Sequence, residues 1–449
     1  MLEWVKSTIS RLFGQPSAEI AVSPTMQTMI ARWAAMYEET EKHCPSLGIA
    51  AGIAAEFARL AVLEAEIRFS GKQGKWMDSQ LTVFRAELRK NTEYACALGG
   101  MVFKPYVSGG RIVVDCVQAD CFFPTAFDSS GRLTGAVFAE QIVRGGKIYT
   151  RLESHDFVGS TETVKNKVFC SSSNVSLGSE ISLSDVVEWA DIAPQISIEG
   201  LKQPLFSYFK IPLANNKDRH SPLGVSVFSN AVDLIAQADR QFARLLWEYE
   251  GGQLAIDVEE SAIRYNEDGK AQLDQTQQRL YRRSLNTREG NLYQAFAPSL
   301  RDSSYLAGLD SILKKIEFAC NLSFGILSDP QTVEKTATEV KMAKQRSYAA
   351  VRDIQTALQS ALDGLFYAID KTAQLYGIGE SGEWEVSYLW QDSILTDEQT
   401  ARQIDQQDAL NGFIPKWQYN AIWRGMSEQE AKAAVSEANG QAADPFGLE

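Results

Sequence analysis

The chain has 449 residues, 45% of them hydrophobic and nine of them Trp, which excludes a disordered protein and exceeds what one hydrophobic core usually organises. Its formal charge of −13 argues against a protein that wraps nucleic acid, since that task needs basic stripes to displace counterions from phosphates. Six cysteines, at 44, 96, 116, 121, 170 and 320, form no CxxC pair, and so long a chain needs no disulfide staples, so they read as free thiols.

The N-terminus MLEWVKSTISRLF puts Leu2, Val5, Ile9 and Phe13 near one helical face. No continuous apolar segment follows it, so it does not read as a signal peptide. Nowhere does the chain reach the roughly 18 apolar residues of a membrane span. A soluble protein, cytoplasmic in its maker, is expected. Residues 1–95 read as mostly helical, and the longest pattern runs from Cys44 through Ile53, Phe57, Leu60, Leu63 and Ile67.

The character changes over 96–215. Gly99-Gly100, Gly109-Gly110 and Gly145-Gly146 punctuate strand-like runs, and the first and third pairs read as hairpin turns. Strands are expected over Gly110–Phe122, Ala136–Val143 and Thr161–Cys170, in an antiparallel, sheet-rich region. Ser221-Pro222 then reads as a cap and first helical position, opening a helix through Leu234, Phe242 and Leu245 to Glu250. Gly251-Gly252 stop it, by the positive φ that glycine tolerates. Residues 253–303 are short, polar and mixed, and a further helix is expected over 304–322.

After Asp329-Pro330 a long helix starts near Thr338, with the stripe Val351, Ile354, Leu358, Leu362, Leu365, Ile369 and Ala373. At 1.5 Å per residue it makes a rod of roughly 50 Å, longer than one small domain buries, so it is expected to pack on a neighbour or span between domains. The segment Trp384–Trp390 alternates like a strand. Two short helices follow, capped by Thr396 and by the box Ser427-Glu428-Gln429-Glu430.

Chemistry-bearing motifs are scarce. His43, His155 and His220 are scattered, with no HExxH, no GxxxxGK[ST] loop, no GxGxxG and no GxSxG. No ATP-hydrolysing motor is therefore encoded here. Asp115, Asp120 and Asp128 cluster loosely around a strand and its loop, as solvated loop acids or, less simply, as ligands of a metal-dependent nuclease. Arg279, Arg282, Arg283 and Arg288, interleaved with Tyr281 and Tyr293, form the densest basic group, either a plain surface patch or a contact to phosphates or a protein. Lys335, Lys341, Lys344 and Arg346 flank the start of the long helix, as ordinary solubilising charges on a monomer or as phosphate contacts if they line a pore.

Several segments together resemble a known family. They are Phe206-Ser207-Tyr208-Phe209-Lys210, Asn215, Ser221-Pro222-Leu223-Gly224-Val225-Ser226-Val227, Asp233-Leu234-Ile235, Leu245-Leu246-Trp247-Glu248 and Glu250-Gly251-Gly252. Lys335-Thr336-Ala337-Thr338-Glu339-Val340, Gly412-Phe413-Ile414-Pro415 and Trp423-Arg424-Gly425 extend the agreement. In order and spacing they are similar to the phage portal proteins of the Listeria-phage A118 type.

The resemblance implies an α+β portal fold with a helical stem, a long spanning helix, a β-rich wing, a small mixed clip and a helical crown. Residues 1–220 would be wing, 221–250 a stem helix, 251–303 the clip and 304–322 the second stem helix. A tunnel loop over 323–338, the long wing helix 339–378 and a crown and tail over 379–449 would complete it. It further implies a homo-oligomeric ring of about twelve subunits at one capsid vertex, closed by side-to-side interfaces. Double-stranded DNA would pass along its axis, and a net-acidic wall would avoid gripping it. The implied partners are the terminase large subunit, a head–tail adaptor, and the major capsid and scaffold proteins, with no membrane. No enzyme activity, catalytic residue, cofactor or metal is implied. The Arg279–Arg288 group with Tyr281 and Tyr293 would face terminase or adaptor from the clip, and Lys335, Lys341, Lys344 and Arg346 would meet DNA in the channel. The alternatives are another capsid-associated or head–tail ring protein and, more remotely, the nuclease.

Overall fold

The structure is a computed structural model. It describes all residues except 1–21, 41–43, 174–175, 253–254, 260–263, 266–270, 273–279, 285–292, 297–298, 330–336, 380–381, 391–397, 425–430 and 437–449. For the elements within 253–298, 330–344 and 391–401 it gives backbone alone. Two compact units result, 1–388 and 389–449. The Leu2–Phe13 pattern and the caps at Thr396 and Ser427 lie outside the described residues.

Helix α1 (Pro24–Glu38) opens with Pro24 at its first position and the Ser23 hydroxyl accepting from the Met26 amide at 3.1 Å. Helix α2 (Ile49–Val62) is rich in alanine and buries Ile53, Ala54, Phe57, Ala58 and Ala61. It ends earlier than the Cys44–Ile67 pattern suggests. Leu63 is 49% exposed, and Ile67 already lies on strand β1 (Ala65–Ser70), where the period becomes two. Helices α3 (Gly74–Gln80) and α4 (Thr82–Leu98) complete the helical start.

Strands β2 (Gly100–Ser108) and β3 (Arg111–Gln118) form a hairpin turned by Gly109-Gly110, with φ of 57° and 74°. Two successive positive φ values are what a tight hairpin demands. Gly99-Gly100, expected as another hairpin, joins α4 to β2 instead: Gly99 caps the helix at φ 91°. Strands β4 (Phe122–Phe127), β5 (Leu133–Arg144), β6 (Lys147–Val158), β7 (Thr161–Ser171) and β8 (Ser179–Ile181) follow as an antiparallel meander. Gly145-Gly146 turn β5 into β6 as the sequence suggests. Short 3-10 turns over Leu183–Asp185 and Val187–Trp189 pack Leu183 and Trp189 on Val168 of β7. Strand β9 (Gln195–Ile198) joins the same edge of β7 as β8, further along the strand, and β10 (Ser207–Lys210) adds to β2.

The helix read from Ser221-Pro222 begins ten residues later, as α5 (Val232–Gly251). Its supposed first turns are a buried, non-helical crossing. The Val227 amide bonds the Cys96 carbonyl at 3.0 Å, and the Gly224 amide donates to the Tyr208 hydroxyl at 3.2 Å. Leu223, Val225, Val227 and Phe228 are all buried, so tertiary burial overrides a correct-looking cap signal. Gly251-Gly252 do end α5, but the cap Gly252 has a φ of −88°, so no left-handed turn is used.

Next come β11 (Ala255–Glu259), β12 (Arg264–Tyr265), β13 (Ala271–Gln272), β14 (Leu280–Ser284) and β15 (Tyr293–Phe296). β14 pairs parallel with β11, and β15 antiparallel with it. Helix α6 (Asp302–Ala319) returns alongside α5, and α7 (Ala337–Tyr376) follows with 40 residues, about 60 Å. Every member of the Val351–Ala373 stripe is buried. It is covered within the same unit: the Gln355 amide reaches the Ala61 carbonyl at 3.3 Å, and Phe366 meets Phe69 edge-on at 4.9 Å. The long helix is thus largely a core element of its own chain. Strand β16 (Glu385–Trp390) pairs with β1. In the second unit, α8 (Glu398–Asn411) packs with α9 (Lys416–Arg424).

Candidate functional site

Helices α5 and α6 form an antiparallel pair from which two segments project: the 251–303 insertion at one end and the stretch leading to α7 at the other. The pair is thinly covered. Only Val232, Ile235, Ala238, Leu245 and Glu248 of α5 are buried, and of α6 only Ile316 and Glu317. Trp247, Leu306 and Phe318 are exposed by 66, 47 and 59%.

One charged clasp holds the roots of the insertion. Glu248, in the last turn of α5, accepts from the Arg301 amide at 3.0 Å and its Nε at 3.1 Å through Oε1, and from its Nη2 at 2.7 Å through Oε2. The hydrogen bonds from Arg301 hold the Glu248 carboxyl below the usual carboxylate range. Gly252 and Leu300 touch beside this clasp, so closely that a side chain at 252 would meet Leu300 and the Glu248 carbonyl.

At the other end, the chain leaving α6 makes a tight turn. Asn321 and Gly325 take positive φ, 58° and 92°. The wholly buried Glu317 accepts from the amides of Gly325, Leu327 and Ser328 and from the Ser328 hydroxyl. Ser323 donates its amide to the Ser347 hydroxyl of α7 at 2.6 Å. The Asp329 amide reaches Asp310 at 3.0 Å, and a hydrogen bond from Lys314 holds that carboxyl below its ordinary value. Nearby, a half-open cavity of about 250 Å³ is lined by Phe57, Leu213, Cys320, Arg346, Asp353 and Ile354. Burial pushes the Cys320 thiol up to about 12, which makes it an inert wall residue.

Of the residues singled out from sequence, Arg279, Arg288 and Lys335 lie outside the described residues. Tyr281, Arg282 and Arg283 fall on β14 and Tyr293 on β15, so the backbone gathers them on one three-stranded sheet. Lys341 and Lys344 belong to the first turns of α7, of whose side chains nothing is described. Arg346 is exposed, and its guanidinium lies 4.3 Å over the Phe318 ring, against α6.

The three candidate nuclease carboxylates do not converge. Asp115 sits on β3 opposite Lys104, where burial raises its pKa. Asp128 accepts from the Ser130 and Arg132 amides and the Ser130 hydroxyl, which makes it a turn cap. Among the described residues no group of three or more His, Cys, Asp or Glu side chains is placed to hold a metal ion. Nor is any helix among them long and apolar enough to cross a membrane.

A buried charge cluster is the feature that motif searching passes over. His155 is held between Glu162 (Nδ1 to Oε1, 2.6 Å) and Glu153 (Nε2 to Oε1, 2.8 Å). Lys104 adds its ammonium to Glu153 at 2.7 Å, and Arg151 lies at 3.2 Å. Burial pulls the His155 pKa down, but hydrogen bonds and charge from both glutamates outweigh it and push it up to about 9. The signal was present in sequence: Arg151, Glu153 and His155 alternate along β6 and share one face of the strand. The second oxygen of Glu162 accepts from the Leu205 amide at 2.6 Å, so the cluster ties the meander to the segment entering β10. It has the makings of a structural joint.

No curated protein matches the sequence. Among solved structures, one titled "Neck of native GTA particle computed with C12 symmetry" is similar at 11% identity and a TM-score of 0.42, covering 92% of this chain and 97% of that one. A family profile described as "Phage portal protein, SPP1 Gp6-like" matches residues 72–442, taking in the meander, both hairpin helices, the insertion and the long helix. That span is most of the sequence, and the chain belongs to the SPP1 Gp6-like family of phage portal proteins.

Proposed function

We propose that copies of this chain close into a ring at one vertex of a tailed-phage capsid, forming the channel for DNA packaging and ejection. The observation that carries the reading is the thinly covered α5–α6 pair. A helical hairpin with Trp247, Leu306 and Phe318 in solvent lacks the third surface that amphipathic helices need. Side-to-side contact with identical copies supplies that surface, and a rotation that closes gives a ring, of about twelve subunits by the family's habit. The overall acidity suits a wall along which DNA slides.

In this reading residues 1–220 form a wing, and α5 and α6 a stem. Residues 251–303 form a clip, 323–338 a tunnel loop, α7 the long wing helix and 379–449 a crown and tail. The motor's energy comes from the terminase large subunit, which docks on the clip. A head–tail adaptor binds later, and scaffold and major capsid proteins surround the ring during assembly in the host cytoplasm. Arg279, Arg282, Arg283, Arg288, Tyr281 and Tyr293 supply the clip contact, and Lys335, Lys341, Lys344 and Arg346 face DNA. In this reading the chain is a portal of the Listeria-phage A118 type.

Replacing Arg282 and Arg283 by Ala tests the clip assignment. Binding of the purified terminase to assembled rings should fall by about tenfold, with ring yield unchanged. Docking equal to that of the unmodified ring contradicts it.

A further inference from the structure

We propose that Glu317 is the positioning residue that fixes where the segment between α6 and α7 leaves the helical hairpin. The inference rests on the reading of 323–338 as a channel-facing loop.

Glu317 lies near the C-terminal end of α6, where the helix macrodipole disfavours a carboxylate. It is also fully buried, which disfavours any charge that is not thoroughly hydrogen-bonded. Neither the helix dipole nor apolar packing therefore accounts for an acid at this place. Its partners do. Oε1 accepts from the amides of Gly325 at 3.0 Å, Leu327 at 2.6 Å and Ser328 at 2.9 Å, while Oε2 accepts from the Ser328 hydroxyl at 2.8 Å. Three amides aimed at one oxygen specify a single turn conformation, as charge-assisted bonds are short and directional.

The rest of the turn is clamped from both sides. Ser323 is bonded to Ser347 of α7, and Asp329 to Asp310 of α6. Residues 321–329 therefore stay against the two helices up to the last residue before 330. The turn also keeps Phe324 and Ile326 outward, 52 and 38% exposed, against their preference for burial. A carboxylate that fixes the backbone can maintain that orientation, whereas an apolar residue at 317 would leave the Leu327 and Ser328 amides unsatisfied and the Gly325 amide with the Ser328 hydroxyl alone, at 3.3 Å.

Amide hydrogen exchange on the full-length protein reads the anchor without reference to function. In Glu317→Ala the amides of Gly325, Leu327 and Ser328 should exchange at least about tenfold faster, and those in the middle of α6 should not change. Glu317→Gln, which keeps a carbonyl acceptor in place, should restore most of the protection. Functionally, Glu317→Ala rings should form in normal yield but give about tenfold fewer DNA-filled heads, with Glu317→Gln again recovering most of the loss. If Glu317→Ala does not fold, Ser328→Ala gives a milder version of both effects. Unchanged exchange at 325–328 overturns the proposal, and so does a ring-forming Glu317→Ala that fills heads normally. Failure of the unmodified chain to form rings would instead contradict the channel reading and leave the exchange result standing.

Discussion

Glu248 and Arg301 join the two roots of the 251–303 insertion through three hydrogen bonds, one of them to the Arg301 backbone. The insertion therefore enters and leaves through a closed neck beside the Gly252–Leu300 contact. Opening that neck should loosen the insertion as a whole. Limited proteolysis of Glu248→Ala should cleave within 252–300 about tenfold faster than the unmodified chain, with the meander equally protected in both. Arg301→Lys should fall between them, since an ammonium cannot reproduce the forked contact. Equal cleavage rates would show that the clasp contributes nothing.

The His155 cluster gives a stability that depends on pH with a definite sign. The imidazole is pushed from 6.5 to about 9 in the folded chain, so its contribution is complete below about pH 6.5 and is lost as pH rises through 9. Lys104, His155 and Arg151 outweigh the opposing effect of burial and hold Glu153 well below its ordinary value, so its contribution is lost in the acid direction instead. From this cluster the first unit should lose on the order of 3 kcal/mol between pH 6.5 and 9.5. Thermal melting across that range should show the fall, and His155→Gln should flatten it. A wild-type profile parallel to that of the variant would contradict the assignment.

Gly99 and Gly159 both have positive φ, at 91° and 66°, but differ in surroundings. A side-chain carbon at 99 would sit 2.7 Å from the Gly224 carbonyl oxygen, whereas nothing lies within 4 Å at 159. Gly159→Ala should cost about 1 kcal/mol of backbone strain. Gly99→Ala adds a backbone clash at the point where the 223–228 crossing meets α4 and should cost upwards of about 3 kcal/mol. Denaturant midpoints of the two variants make the comparison, and equal shifts would mean that the crossing yields.

Along α7, Phe366 is fully buried and Tyr376 is 65% exposed. Phe366→Ala should destabilise by about 3–5 kcal/mol and Tyr376→Ala by less than about 0.5. Equilibrium unfolding of the full chain tests both, and a small effect at Phe366 would mean that the core is not built on this stripe.

The stripe that buries Phe366's neighbours was legible because seven apolar residues at steps of three and four leave one solution, an amphipathic helix. The strand-rich region was legible for the same kind of reason, with paired glycines marking the β2–β3 hairpin and the β5–β6 turn of the meander. Local signals failed where a long-range contact decides. Ser221-Pro222 looks like a helix start, yet Cys96 and Tyr208 take the backbone bonds of the 224–227 stretch. Gly99-Gly100 looks like a hairpin, yet the segment before it, which would have to be a strand, is helix α4. Glu317 was invisible for the converse reason. A glutamate in a helix reads as solvated, and only the turn of 325–328 shows that it is buried. Of the basic residues from 279 to 288 the backbone pairing places only Arg282 and Arg283, both on β14.

Electron microscopy of the purified full-length chain, with particle mass measured on the same sample, tests the central claim most directly. The account predicts closed rings with a central hole and a mass of about twelve chains, their walls formed where the α5–α6 pairs meet. A monomer or dimer at every protein concentration would contradict it.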